Sequence, residues 1–271
     1  MDKRLPAGEA AAALARRWLD KAGKAARQVK RGRGAEALHD LRTSLRRLRV
    51  VLGAYRDCLG PAGARPLRAR LRKLSRATSP ARDAQVWSAW LEAHGAPCEI
   101  TRRLIIHLEA VAAHCRRGFV DAGLPELKTA ARELADRLAR VKPGQVPFAE
   151  AASQAVKTAA SKLARRLEPL RRGGTPAQMH AARIRIKRLR YLLEPFSRSD
   201  AEVRKLVSQM RELQNRFGEL HDLHMLMTCA LPPAAEPARA AAVRLERGLR
   251  RRWLETGRAQ RLVSAAQRWS A

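Results

Sequence analysis

His39, Arg42, Arg46 and Arg49 form a spaced set that returns 141 positions later as His180, Arg183, Lys187 and Arg190. Both copies read His-x-x-Arg-x-x-x-(Arg/Lys)-Arg-Leu-Arg. The chemistry open to such a set is anion binding. Arginine presents a planar fork of donors that matches phosphate oxygens in pairs. A histidine at the head of the set can donate to the same oxygens and gains charge as pH falls. On a helix the four residues of the first copy fall within an arc of about 80°. Arg42 to Arg49 then covers only about 10 Å of helix axis. Cations stacked that closely repel one another unless an anion neutralises them.

Other chemistries find little support. There is no Ser/His/Asp order, no Gly-rich phosphate loop and no paired-carboxylate site. His221-Asp222-Leu223-His224 sets two histidines three apart but lacks a third metal ligand. No metal and no cofactor are expected. Asp222, like Asp83 after Arg82, reads as an acid that orients a nearby arginine or caps a helix. His107 and His114 share a helix face and read as ordinary core or surface histidines. The five tryptophans (Trp18, Trp87, Trp90, Trp253, Trp269) sit at apolar helical positions and read as core. Cys58, Cys98, Cys115 and Cys229 are scattered, which suits neither a metal knuckle nor a disulfide framework. A reducing, cytoplasmic setting is the simplest expectation.

The elements that position these residues read as helices throughout, an all-α chain. Beside each cation stripe runs an apolar one: Leu41, Leu45, Leu48, Leu52 and Tyr55 in the first copy, Ala182, Ile186, Leu189, Leu193 and Phe196 in the second. The expected helices are Ala10–Lys30, with Leu14, Trp18, Ala22 and Val29 inward, then Glu36–Cys58, Arg65–Ala77, Arg82–His94, Glu99–Asp121 and Glu126–Val141. After these come Phe148–Arg171, Pro176–Phe196, Ala201–Phe217, Glu219–Leu231 and one or two helices over Ala238–Trp269. Gly32-Arg33-Gly34, Gly60-Pro61, Gly173-Gly174 and Pro232-Pro233 read as breaks. Residues 142–147, with two prolines and a glycine, read as a linker between halves at 8–142 and 148–271 of a single 1–271 domain. Further matches extend the repeat. Arg16, Lys21 and Lys24 align with Lys157, Lys162 and Arg165 at the offset of 141. Leu71, Arg72, Leu74 and Asp83 align with Met210, Arg211, Leu213 and Asp222 at an offset of 139. An internal duplication follows: two four-helix bundles about a pseudo-two-fold axis, with a basic groove between them that both stripes line.

Composition bounds the partner. The formal net charge is +31. That excess repels itself and attracts polyanions. Aromatics make up only 4%, too few for a broad base-stacking platform. No apolar run approaches the roughly 18 residues of a membrane span, and the N-terminus lacks a signal-peptide core. No membrane partner is expected.

Leu38-His39-Asp40-Leu41-Arg42 with Leu45-Arg46-Arg47-Leu48-Arg49 resembles the CHAD domain, a conserved-histidine α-helical domain. Met179-His180 through Lys187-Arg188-Leu189-Arg190-Tyr191 resembles it equally. Ala81-Arg82-Asp83 and Leu213 through Gly218-Glu219-Leu220-His221-Asp222-Leu223 also look like that family. The resemblance runs from about Ala10 to the C-terminus. It implies two four-helix bundles, a basic central groove for inorganic polyphosphate, and targeting to polyphosphate granules in some members. The triphosphate-tunnel (CYTH) domain often fused to it carries a Glu-x-Glu-x-Lys motif, absent here, so a stand-alone binding module is expected. His221 departs from the pattern, standing where the first half has Arg82.

The expectation is therefore a non-enzymatic polyphosphate binder. His39, Arg42, Arg46, Arg49, His180, Arg183, Lys187 and Arg190 are its central contacts. Arg16, Lys21, Lys24, Lys157, Lys162 and Arg165 extend the walls. The alternatives are a nucleic-acid binder that does not read sequence, with nucleic acid otherwise a weaker competitor, and a phosphoanhydride hydrolase using His39 or His180.

Overall fold

A computed structural model describes residues 4–32, 34–63, 65–230 and 232–269. Met1–Lys3, Arg33 of the first expected break, Leu231 at the end of one expected helix, and the last two residues lie outside them. Among the described residues the regular structure is helical, apart from one isolated antiparallel bridge between Pro6 and Pro147. The protein is all-α.

The helices are α1 (Ala7–Lys30), α2 (Gly34–Ala54), α3 (Arg56–Leu59), α4 (Arg65–Ala77), α5 (Ser79–His94), α6 (Glu99–Gly118), α7 (Leu124–Ala139), α8 (Phe148–Leu167), α9 (Pro176–Leu193), α10 (Ala201–Cys229), α11 (Pro232–Leu249) and α12 (Arg258–Arg268). Single π-turns at Phe119–Gly123 and Arg250–Glu255 connect α6 to α7 and α11 towards α12. Gly123 is needed at the first of them: a Cβ there would lie 2.3 Å from the Phe119 ring.

Two compact units result. The N-terminal unit is built from Asp2–Val86 and Ile106–Ala151, the C-terminal unit from Trp87–Ile105 and Ala152–Ala271. In the N-terminal unit α1 packs on α2, α2 on α4, α4 on α7 and α7 back on α1. Small residues on α1 (Ala10, Ala11, Ala15, Ala22) let it approach the leucine stripe of α2 closely, and all are fully buried. Leu38, Leu41, Leu45, Leu48 and Leu52 are likewise sealed from solvent. Each such side chain contributes about 1.5–3 kcal/mol on burial, so together they fix the rotational phase of α2. The 142–147 stretch carries no helix and is tied to the start of α1. The Ala7 and Gly8 amides donate to the Val146 and Pro143 carbonyls at 2.8 and 3.0 Å, and the Phe148 amide to the Leu5 carbonyl at 2.8 Å.

In the C-terminal unit α9 packs on α10, and α10 carries α11 and α12. A full capping box starts α9: the Thr175 hydroxyl accepts from the Gln178 amide, and the Gln178 side chain accepts from the Thr175 amide. Asp200 caps α10 through the Val203 amide at 3.0 Å.

Among the differences from the expected helix limits, two concern glycine and proline. The expected break near Gly218 does not exist, because α10 runs on to Cys229. One glycine costs a helix only about 1 kcal/mol, and Phe217, Leu220 and Leu223 are buried on either side of it. The expected Pro232-Pro233 break falls between α10, ending at Cys229, and α11, but α11 begins at Pro232 itself rather than at Ala238, in keeping with proline's fit to the first helical turn.

Candidate anion-binding site

With the leucines of α2 buried, its flank is set. His39 is exposed at the head of the stripe, and Arg42, Arg46 and Arg49 follow half-buried. Their surroundings differ. Arg42 turns its Nη1 towards the α4–α5 junction, reaching the Ser75 carbonyl at 3.1 Å, Thr78 Oγ1 at 3.3 Å and Ser79 Oγ at 2.9 Å. It therefore staples helices together besides carrying charge. Arg46 and Arg49 have no hydrogen bond or ion pair among the described residues. Burial, then the like charges of Arg72, Arg46 and Arg76, bring the Arg49 guanidinium down to about 10. Partial burial also lowers the His39 imidazole, with Arg82, Arg46 and Arg42 pushing the same way and Asp40 opposing them. Thr43 Oγ1 lies 3.4 Å from His39 Nε2.

The α1 cations go to different places. Arg16 donates to the Leu138 carbonyl at 2.7 Å, at the C-terminal end of α7 where a cation is favoured. Lys24 is exposed. Lys21 lies over the Trp18 ring, 4.9 Å from its centroid, with Arg47 of α2 at 4.7 Å and Arg17 at 5.6 Å. Trp18 is thus a half-buried platform for three cations, where a core residue was expected. Trp87, Trp90 and Trp269 are also half-buried, and Trp253 alone of the five is fully enclosed.

In the C-terminal unit Ala182, Ile186, Leu189, Leu193 and Phe196 are fully buried, so the phase of α9 is fixed in the same way. His180 meets His221 of α10: their Nδ1 atoms are 3.3 Å apart, and the ring centroids 4.2 Å. Such a contact needs one donor and one acceptor, so both rings cannot be fully protonated while it lasts. Burial, followed by the charges of Arg183, His180, Lys187 and His224, depresses His221 to about 4. Arg183 Nη2 is 3.8 Å from Asp222 Oδ1, an acid orienting an arginine. A Cβ on Gly218 would meet the Arg183 guanidinium at 3.5 Å, an ordinary contact, so the glycine is tolerated there rather than required. Lys187 is half-buried beside this cluster.

Arg190 stands apart. Only 5% exposed, it pairs with Glu194, donates from Nε to Gln214 Oε1 at 3.0 Å, and lies over the Tyr191 ring at 4.7 Å. On α8, Lys157, Lys162 and Arg165 are all exposed. Among the described residues no group of three or more His, Cys, Asp or Glu is placed to hold a metal ion, and no helix is long and apolar enough to cross a membrane.

Several residues that act on the stripes were not counted among the contacts from sequence, although Arg47, Arg72, Arg82 and His221 stood out as motif or repeat positions: Arg82 acts on His39, Arg72 and Arg76 act on Arg49, Arg47 covers Trp18, and His221 meets His180. One signal was available. Arg82 and His221 correspond at the 139 offset, and each bears on the histidine that heads its own stripe.

An all-α chain with a histidine-headed basic helix in each unit falls among α-helical histidine domains. The chain belongs to the CHAD domain family, whose model matches residues 11–231. The crystal structure of the CHAD domain from the plant Ricinus communis superposes with a TM-score of 0.77 at 23% identity, covering 98% of this chain and 94% of that one, a likeness of fold. No curated protein matches.

Proposed function

We propose that this protein binds inorganic polyphosphate without acting on it, the histidine-headed stripe of α2 and, on α9, the stripe as far as Lys187 supplying its contacts. The observation that carries the reading is the set of uncompensated cations on α2: Arg46 and Arg49 flank a sealed leucine stripe and have no acidic partner among the described residues. A fold that left such cations unpaired beside one another would be stabilised by a polyanion. Within the N-terminal unit His39 and the exposed Lys24 extend the positive field, and the C-terminal unit carries its own cations, Arg183, Lys187 and the exposed Lys157, Lys162 and Arg165. Membership of the CHAD family supports phosphate chains as the ligand and a location on polyphosphate granules.

The test is titration of fluorescent long-chain polyphosphate against wild type and Arg46→Glu/Lys187→Glu, with duplex DNA and single-stranded RNA as competitors at equal phosphate concentration. The expected result is tight binding by wild type, a loss of at least tenfold in the double variant, and weak competition by nucleic acid. Equal affinity in both proteins removes the stripes from the site. Full displacement by DNA or RNA replaces polyphosphate with a general polyanion. Orthophosphate release with Mg²⁺ present, lost in His39→Ala, would turn the binder into a hydrolase.

A further inference from the structure

The two copies of the motif end differently, and the difference is electrostatic. In the C-terminal unit the last arginine, Arg190, is buried with a carboxylate four residues on, Glu194, and an amide acceptor, Gln214. In the N-terminal unit the matching arginine is Arg49. The residue matching Glu194 is Gly53, and the one matching Gln214 is Ser75. No carboxylate replaces them. Instead α4, which packs on α2 and receives Arg42 of the same stripe at its Ser75 carbonyl at 3.1 Å, contributes Arg72 and Arg76, an i and i+4 pair beside Ser75 whose charges act on Arg49 together with that of Arg46.

Arg46, Arg49, Arg72 and Arg76 have no hydrogen bond or ion pair among the described residues. The same helix shows that pairing was available. Arg70, about 160° away from Arg72 around α4, is held by Glu126 and Glu133 of α7, and Glu133 also takes Arg137. Arg70, on the α7 side of α4, is matched with acids. The cations on the α2 side are left facing other cations.

We propose that Arg46, Arg49, Arg72 and Arg76 form the anchoring subsite for a chain of linked phosphates, and that the matching turn of the second motif serves the fold and takes no ligand. The proposal rests on the polyphosphate reading above and assigns the two motif copies different work. Linked phosphates suit the cluster better than a single one. Four guanidinium forks on two helices offer more donors than one phosphate can accept, whereas a chain can pass from one fork to the next.

The experiment uses the full chain as wild type, Arg72→Gln/Arg76→Gln and Arg190→Gln, with orthophosphate, tripolyphosphate and long-chain polyphosphate as probes. Each protein is followed by thermal melting with and without probe, and by direct titration at several salt concentrations. Removing two mutually repelling cations should leave the basal Tm of Arg72→Gln/Arg76→Gln unchanged or raised. The same change should weaken long-chain polyphosphate at least tenfold, shrink the probe-induced rise in Tm, and flatten the salt dependence. Arg190→Gln should do the reverse, with a lower basal Tm and an affinity of the folded protein within about twofold of wild type. Wild type should respond to orthophosphate far less than to tripolyphosphate. If wild type fails to bind polyphosphate, the reading beneath this proposal falls. If wild type binds and Arg72→Gln/Arg76→Gln binds equally well, or loses its helical fold, this proposal alone falls. A tenfold loss of affinity in folded Arg190→Gln also overturns it, because the second turn would then be a ligand site.

Discussion

His180 and His221 meet nitrogen to nitrogen at 3.3 Å in a setting crowded with Arg183, Lys187 and His224, and Asp222 provides acid on α10. The consequence for stability has a definite sign. His221 is lowered from 6.5 to about 4 in the folded chain, so the folded state resists a proton that the unfolded state accepts. The stability this contributes is fully present above about pH 6.5 and is lost as pH falls from there towards about 4. The Tm of the free protein should therefore fall across that window, and His221→Gln should flatten the fall. A flat profile in wild type would show that the pair takes up its proton without strain. Polyphosphate should act oppositely, because a nearby anion favours the charged ring. Affinity is accordingly expected to rise below about pH 6.5 and to do so less in His221→Gln. The first motif's histidine should follow the same direction more weakly, since Asp40 already offsets part of the repulsion on His39.

At the scale of elements, the phase of α2 and α9 was legible in the sequence. Leucines, isoleucine and alanines at helical spacing leave one side of each helix for the core, and the basic stripe then has one place to go. The continuity of α10 was not legible. A lone glycine is a weak stop signal, and the burial of Phe217, Leu220 and Leu223 around Gly218 decides the matter through tertiary packing. The use of Arg190 was hidden for a related reason. Its spacing equals that of Arg49, and only the nearby Glu194 and Gln214 make one copy a buried pair and the other an open cation. Trp18 looked like core because spacing reports which face a residue occupies, not that Lys21 and Arg47 would cover its ring. Another element-level contact yields a direct test. Gly8 sits where α1 begins, and a Cβ there would lie 2.2 Å from the Lys142 carbonyl oxygen and 2.8 Å from that of Pro143. Both obstacles are backbone, so neither can swing away. Gly8→Ala should cost about 1–3 kcal/mol, within the range for overpacking, as read in chemical denaturation. The polyphosphate affinity of the folded fraction should stay unchanged. Wild-type stability in Gly8→Ala would mean that the 142–147 stretch yields freely and does not hold α1.

At the scale of the whole molecule one field governs two observables in opposite directions. The net charge of +31 is distributed over 56 Lys and Arg against 25 Asp and Glu, so most cations lack an acid of their own. Self-repulsion on this scale opposes the compact state, and added salt screens it. Raising NaCl from about 50 to about 200 mM should therefore increase the Tm of the free protein. The same salt should weaken polyphosphate binding, because each phosphate contact releases counterions whose return is favoured as salt rises. A loss of roughly 10³-fold over that range is the scale set by six to ten such contacts on nucleic acids. Sequence-independent charge attraction and a built site part company in the variants. If attraction by the overall field were sufficient, neutralising any two surface arginines would lower the slope of log affinity against log salt alike. If the clustered arginines of α2 and α4 carry the contacts, Arg72→Gln/Arg76→Gln should reduce that slope, while a control pair on α6, Arg102→Gln/Arg103→Gln, should not. The control pair is already engaged by Glu99 at the start of α6, so its loss changes net charge by the same amount and leaves the uncompensated cluster intact. Equal slopes in the two variants would reduce the protein to a diffuse polycation, and unequal slopes would locate its binding in the few arginines that the fold leaves without a partner.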